Sequence, residues 1–456
     1  MRQSSEFVVS DSGEQKNARP GKGASRKRIG YNLLLRGLLP FALPALEWRA
    51  RKQVSQGDRW RERLGFVPRR PAGDAPIWVH AASVGEVQAA LPLIRSLANT
   101  MPERTVLVTT FTAAGARQLR QSAGDRVVQL MLPYDLPGPV NRFLDRVQPA
   151  ALLVMETELW PNLFREVHRR SIPLLVGSAR ISDRAWRRYQ KIPGLVAETL
   201  NCVDLVAAQS EVDAERFRNL GAPEDRVETL GNVKFDLQAS SSVAEQGSGL
   251  RRMLFPDRPV WLAASTRPGE EEKVLDAFEK VRSEQPGTLL VLAPRHPERA
   301  SGLKQLLKAR ALKDVSRSEQ RPADDDTDVF ILDTLGELIN FYAASDVTFV
   351  GGSLVPVGGH NLLEPIVLGV PVLTGPYYDN AVDVAEMLLA AGAVRRVADA
   401  DELAQRVSEI LADSAVRARM AERGWRVIET NRGAVDRLVD RVGRLIGDEV
   451  AGMPQP

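Results

Sequence analysis

Trp78-Val-His-Ala-Ala-Ser-Val-Gly-Glu86 reads as an apolar strand that ends in a small-residue turn, with a carboxylate in the first turn of the helix that follows. The next segment, 87–99, has helical periodicity, and 106–110 is β-branched again, so the unit is strand, turn, helix, strand. Outward from it the same rhythm recurs. Short β-branched runs fall at 77–81, 106–110, 127–130, 151–155, 174–176, 203–207 and 227–230, with helical spacers between them. A second series falls at 260–264, 289–293, 329–332, 347–350, 372–374 and 394–397, and the chain closes in a helical stretch, 401–446. Between the two series, residues 237–250 hold four serines and two glycines without periodicity, as a linker would. Repeated strand–helix alternation gives parallel sheets covered on both faces. The predicted fold is therefore α/β, with two doubly wound Rossmann-like domains, 53–236 and 251–430, facing across a cleft, and a C-terminal helix and tail at 431–456. Ligands of such sheets bind at the carboxyl ends of strands, so chemistry is expected just after strands.

The length agrees, because 456 residues exceed what one core usually organises. With 44% hydrophobic and 26% charged residues the chain is globular rather than disordered or fibrous. The lone Cys202 excludes an internal disulfide or a thiolate cluster and favours a reducing, cytosolic compartment. The net charge of +3 conceals +10 over residues 1–70 and −7 over the rest. A basic block suits either nucleic acid or an anionic membrane, and the adjoining apolar run 33–48, broken by Arg36, Pro40 and Pro44, decides for the membrane. It is shorter than the roughly 20 residues needed to cross hydrocarbon. Residues 29–52 are thus expected to lie in the interface, with Arg26, Lys27, Arg28, Arg49, Arg51 and Lys52 on anionic headgroups, and no nucleic acid is expected. An amphipathic helix docked on its own domain is the alternative. Residues 1–28 read as a disordered basic tail.

Four post-strand clusters carry candidate chemistry. Ser83-Val-Gly85 followed by Glu86 fits a capped helix start equally with a general base at a cleft mouth, and the four residues alone do not choose. Met155-Glu-Thr-Glu-Leu-Trp-Pro-Asn162 puts two carboxylates at a strand–helix junction, either a surface capping network or part of a site, and Arg180 follows the next strand on the same rim. Leu292-Ala-Pro-Arg-His-Pro-Glu298 places Arg295 where it suits a bidentate phosphate contact or a rim salt bridge. The richest stretch is Phe349-Val-Gly-Gly-Ser-Leu-Val-Pro-Val-Gly-Gly-His-Asn-Leu-Leu-Glu-Pro365. Its paired glycines allow close backbone approach, the helix start after Gly359 suits phosphate, and Glu364 could grip ribose hydroxyls. No phosphate-binding P-loop and no dinucleotide fingerprint after the first strand occur, which argues against a nucleotide triphosphatase or a dehydrogenase. Four scattered histidines argue against a histidine-rich metal centre, and no metal is expected. Asp324-Asp-Asp-Thr-Asp328 precedes its strand and reads as a solvated acidic turn.

Taken in order, Ser83-Val-Gly-Glu86, Glu156-Thr-Glu-Leu-Trp-Pro-Asn162, Ser178-Ala-Arg-Ile-Ser182, Gly231-Asn-Val-Lys-Phe-Asp236, Ala293-Pro-Arg-His-Pro-Glu298, Gly351-Gly-Ser-Leu-Val-Pro356 and Gly358-Gly-His-Asn-Leu-Leu-Glu-Pro365 closely resemble the bacterial 3-deoxy-D-manno-octulosonic acid (Kdo) transferases of lipid A assembly. The resemblance implies a GT-B fold and inverting, metal-free transfer of Kdo from CMP-Kdo to a lipid A precursor (lipid IVA) at the cytoplasmic face of the inner membrane, with no cofactor. It implies Glu86 as general base, Glu158 in the second acidic motif, and Arg295, Gly359, Asn361 and Glu364 around CMP. Ser83, Gly85, Arg180 and Lys234 fall on the rim. The chain departs from the family at Val357, where a basic residue is usual, and in Gly375-Pro-Tyr-Tyr-Asp-Asn-Ala381, which lacks the usual His and Phe. Readings of other classes are a GT-B enzyme or epimerase using a UDP-sugar, and a non-catalytic membrane-surface scaffold.

Overall fold

The computed structural model describes residues 28–35, 37, 59–70, 75–124, 127–237 and 241–447. The expected tail up to residue 27, and the expected anchor beyond residue 37, lie outside them. The chain divides into two compact units: one holds everything up to Leu230 together with the chain from Leu438 onward, and the other spans Gly231–Arg437.

In the first unit the strands are β1 (Ile77–His80), β2 (Val106–Thr110), β3 (Val127–Met131), β4 (Ala151–Met155), β5 (Leu174–Ala179), β6 (Leu205–Ala208) and β7 (Val227–Thr229). They pair in the order β3-β2-β1-β4-β5-β6-β7, every neighbour parallel. β1, β2, β4 and β5 are buried at every residue, as strands covered on both faces must be. That explains why they read in the sequence as largely apolar runs, with the buried polar residues His80, Thr109, Thr110 and Ser178 confined to their carboxyl-terminal ends. Trp78, Phe143, Phe164 and Phe217 anchor the core of this unit.

The second unit has β8 (Val260–Thr266), β9 (Leu289–Pro294), β10 (Asp314–Ser316), β11 (Val329–Ile331), β12 (Val347–Val350), β13 (Val372–Thr374) and β14 (Val394–Arg396). Their order is β10-β11-β9-β8-β12-β13-β14, again all parallel. Alternate β8 residues point to opposite faces: Trp261 packs with Phe278 in one cluster, while Val260 and Leu262 join Phe255, Phe330 and Phe341 in another. In each sheet the winding direction reverses once, between β1 and β4 and between β8 and β12. Those reversals part the loops at the carboxyl ends and create the binding crevice of a doubly wound sheet.

Two expectations are corrected. The linker over 237–250 is largely a helix, Ser241–Leu254. Its serines and glycines carry poor helix propensity, roughly 1 kcal/mol for each glycine, and tertiary packing overrides it. Gly247 lies so close to Ala343 that a side chain would not fit, which lets this helix approach the helix Leu338–Ala343. The unit boundary falls instead at Leu230, and the chain returns to the first unit within its last helix, Ala434–Ile446, where Leu438 is buried. The expected 401–446 stretch is three helices, Ala400–Ala412, Ser414–Asn431 and Ala434–Ile446, the first two separated by Asp413, which caps the second. β10 escaped the sequence reading because its three residues include a single apolar one.

Candidate active site

In the first unit the loops after β1 and β4 meet at the sheet's reversal. Ser83 caps the helix Val84–Thr100, its hydroxyl accepting the Glu86 N–H at 3.3 Å. The Glu86 side chain folds back over the same turn: Oε2 accepts the Ala82 N–H at 2.7 Å and Oε1 accepts the Ser83 hydroxyl at 3.1 Å. Gly85 is exposed in the first helical turn. Burial lifts the Glu86 carboxyl from its ordinary 4.5 to about 7, against the pull of the Ala82 N–H, and the negative charges of Glu156 and Glu158 add to the rise. Such a group exchanges protons near neutrality.

Glu158 is also lifted, first by burial and then by Glu156. The Trp160 indole N–H, which stands outside hydrogen-bonding geometry, and Arg188 oppose the rise. Glu156 itself sits in the left-handed region at φ +56°, a strained conformation for a residue with a side chain. Thr157 donates to the Arg180 carbonyl and accepts at its own carbonyl from the Tyr189 hydroxyl at 3.2 Å, so the segments after β4 and β5 are tied together. At the end of β1, His80 is fully buried and burial lowers it to about 4, so it stands neutral with Nδ1 3.0 Å from Thr109 O and its ring T-shaped to Trp160, 6.4 Å between centroids.

The helix after the acidic motif, Pro161–Arg169, is capped from outside by Asp135. This carboxylate accepts the Asn162 and Leu163 N–H groups at 3.1 and 2.7 Å and the Tyr31 hydroxyl at 2.9 Å. Asn32 accepts from Asn162 at 2.7 Å, and Arg28, expected on anionic headgroups at the end of a disordered tail, is instead helical and drawn onto the unit by its ion pair with Glu198 at 2.8 Å. Residues 28–35, which are helical, thus dock through their polar face, while Leu33 and Leu34 are 63% and 60% exposed. No described helix is long and apolar enough to cross a membrane.

In the second unit a cationic cluster lies at the ends of β8 and β9. The Arg267 Nε donates to His360 Nε2 at 3.3 Å, and another guanidinium nitrogen lies 3.2 Å from His296 Nε2. His360 is lowered to about 4 by burial and then by Arg267 and Arg295, so its ring is neutral. With Nε2 accepting, the remaining proton is on Nδ1. Arg295 is exposed just beyond β9, and its charge opposes the burial that raises Glu364. Asn361 donates to Glu364 at 3.1 Å and accepts the Leu363 N–H at 3.0 Å.

The helix expected to hold phosphate at its start is short, Leu363–Val367, and Asn361 already occupies its first free N–H. The anion-attracting charge here is instead the arginine cluster. Gly358 and Gly359 are both left-handed, at φ +99° and +73°, and Asn380 holds them by donating to the Gly359 carbonyl at 3.0 Å. The asparagine of the divergent 375–381 segment therefore supports the glycine loop. Lys234 lies on the turn Val233–Asp236, in the second unit rather than the first.

The structure thus gathers Ser83, Glu86 and Glu158 in one cluster, and Arg295, Asn361 and Glu364 in another. Sequence reasoning passed over Arg267 and Glu270, although Thr266-Arg-Pro-Gly-Glu-Glu271 follows a strand as directly as the acidic motif after β4 does. Among the described residues no group of three or more His, Cys, Asp or Glu side chains is arranged to hold a metal ion.

Residues 58–237 match the family model described as 3-deoxy-D-manno-octulosonic-acid transferase (kdotransferase), and residues 271–427 match glycosyl transferases group 1. A 3-deoxy-D-manno-octulosonic acid transferase of Haemophilus influenzae is 38% identical over 91% of this chain and 97% of its own. One from Bordetella pertussis is 35% identical over 91% of this chain and 99% of its own. Among solved structures, a glycosyltransferase from Rickettsia africae and a UDP-GlcNAc 2-epimerase from Neisseria meningitidis bound to UDP-GlcNAc each superpose with a TM-score of 0.54. They are 12% and 15% identical, and cover 83% and 81% of this chain and all of their own. At that identity the likeness is one of fold, the two-domain α/β architecture of GT-B proteins.

Proposed function

Because the chain belongs to the 3-deoxy-D-manno-octulosonic acid (Kdo) transferase family of glycosyltransferases, we propose that it transfers Kdo from CMP-Kdo to a lipid A precursor, lipid IVA, with inversion and without a resident metal. The observation that carries the catalytic part is Glu86, a carboxyl lifted to about 7 on a capped turn at the reversal of the first sheet. Its proton affinity is matched to taking a proton from a hydroxyl near neutral pH. The acceptor oxygen forms its bond to the anomeric carbon as its proton passes to Glu86. The bond from that carbon to the phosphate oxygen breaks, and its electron pair leaves with CMP.

Glu156 and Glu158 keep Glu86 basic by their own charge. Departure of the phosphate puts negative charge where cations are needed, and Arg295 with Arg267 supplies them in place of a metal. Glu364, raised by burial and bonded to Asn361, suits ribose hydroxyls, and Gly359 allows the nucleotide close to the backbone. The reading puts the enzyme on the cytoplasmic face of the inner membrane, held by the N-terminal segment. Calorimetry with CMP and UDP, paired with a transfer assay from CMP-Kdo, tests it. CMP binding and Kdo transfer are expected, and a preference for UDP would overturn the donor assignment.

A further inference from the structure

The glycine loop after β12 is held from beneath by Glu270, a residue that binds nothing in the mechanism above. Its side chain is wholly buried. Oε2 accepts the N–H groups of Gly352 at 2.7 Å and Arg267 at 3.1 Å, and Oε1 those of Ser353 at 3.0 Å and Leu354 at 2.8 Å. A carboxylate withdrawn from water is costly unless its lone pairs are filled, and four N–H donors fill them here. The donors come from two loops, one leaving β8 and one leaving β12, which are the strands that flank the reversal of the second sheet. Gly351 makes the approach possible, since a Cβ there would stand 2.7 Å from Glu270 Oε2 and 2.9 Å from Thr266 Cα.

The grip reaches the ligand-facing groups through the backbone. Fixing the Arg267 N–H fixes the root of the guanidinium that meets His360. Fixing Gly352 fixes the carbonyl that accepts the Gly359 N–H at 2.8 Å, and so the second glycine pair. We propose that Glu270 is the positioning residue of the donor site, a buried carboxylate that locks the two loops in register so that Arg267 and Gly359 are presented ready-made to the nucleotide sugar. This rests on the reading of that loop as the donor site. Preorganisation of this kind acts on affinity, because the cost of ordering the loops is met in folding rather than in binding.

The test uses the full chain carrying Glu270→Gln, which keeps the volume but turns an NH2 group against two of the four N–H donors. CMP affinity by calorimetry and the donor KM should both worsen at least tenfold, with kcat at saturating donor within about threefold and the acceptor KM unchanged. Amide exchange at residues 352–354 should quicken while the core strands of the unit stay protected. Glu270→Asp, which keeps the charge one methylene shorter, should show the same pattern more weakly and serves if the Gln variant does not fold. A folded variant that binds CMP as wild type does, or that loses kcat and acceptor KM alike, overturns the proposal. Failure of the wild-type chain itself to bind CMP overturns it along with the donor reading, and the two failures are told apart by that wild-type measurement.

Discussion

Replacing Glu86 by Gln separates a catalytic carboxylate from a purely structural one, because the first predicts lost turnover in a fold that stays stable and the second predicts normal turnover in the folded fraction. The wild-type carboxyl is lifted from 4.5 to about 7. At about 1.4 kcal/mol per pH unit the gap corresponds to some 3 kcal/mol of disfavoured ionisation, which solvent at the half-buried edge reduces to about 1–2 kcal/mol. The folded chain holds this proton more tightly than the unfolded chain. The associated stability is therefore fully present below about pH 4.5 and is lost as pH rises through about 7. At pH 8 wild type bears the whole penalty, while the Gln variant does not. The amide oxygen can still accept from Ala82 N–H as Glu86 does now, while toward Ser83 the bond reverses, the amide NH2 donating to the hydroxyl that at present donates to Glu86. The variant should be as stable as wild type at pH 8 or more stable by about 1 kcal/mol, roughly 2–4 °C in Tm. Single-turnover Kdo transfer should nevertheless fall by roughly 10²–10⁴-fold, and the wild-type rise in rate through about pH 7 should vanish. If Glu86 merely capped its helix, the variant would lose up to about 1 kcal/mol and turn over normally. A folded variant that transfers at more than about a tenth of the wild-type rate refutes the base assignment and moves attention to Glu158.

Two further outcomes are expected. Arg295→Ala and Glu364→Ala should each weaken CMP by about 1–3 kcal/mol, the worth of a charged hydrogen bond, with chelator changing little; unaltered affinity in both variants would remove these residues from the nucleotide site. Leu33→Ser combined with Leu34→Ser should reduce sedimentation with anionic vesicles several-fold and leave Tm unchanged, since both side chains are already exposed; undiminished vesicle binding would place the anchor elsewhere.

The sheets were legible because strands buried on both faces are short, apolar and β-branched, as in Ala151–Met155 and Val347–Val350, and because these runs recur in alternation with longer helical spacers. Segments whose stability comes from a distant partner were not legible. Ser241–Leu254 reads as a linker because its helix is upheld by contact with Leu338–Ala343, more than eighty residues away. Asp314–Ser316 exists because β11 offers it an edge. At the candidate site, residue types after strands singled out Glu86, Glu158, Arg295 and Glu364 as candidates without choosing between a capping or rim role and a chemical one. The capping of Pro161–Arg169 by Asp135 could not be read, because it joins residues 27 positions apart.

Ser83-Val-Gly-Glu86 and Arg267-Pro-Gly-Glu270 are alike in sequence and differ in what the fold brings to their carboxylates. Both put a Gly-Glu pair after the strand on one side of a sheet reversal, and both carboxylates fold back onto their own loop. By sequence pattern they are interchangeable, and the physics that separates them is the number of donors each meets. Glu86 accepts one backbone N–H and one hydroxyl, so burial is left undercompensated and the carboxyl rises to about 7. Glu270 accepts four backbone N–H groups from two loops and is enclosed. A carboxylate with every lone pair engaged by backbone donors holds those loops in place, whereas Glu86, with only two donors, keeps lone pairs open toward the crevice, as the proposed base requires. The division of labour follows: Glu86→Gln should slow the chemical step by roughly 10²–10⁴-fold and spare the fold, and Glu270→Gln should loosen the donor site and spare the chemical step. If Glu270→Gln instead reduced kcat as severely as Glu86→Gln while donor affinity held, donor count would not be what distinguishes a base from a clamp in this protein.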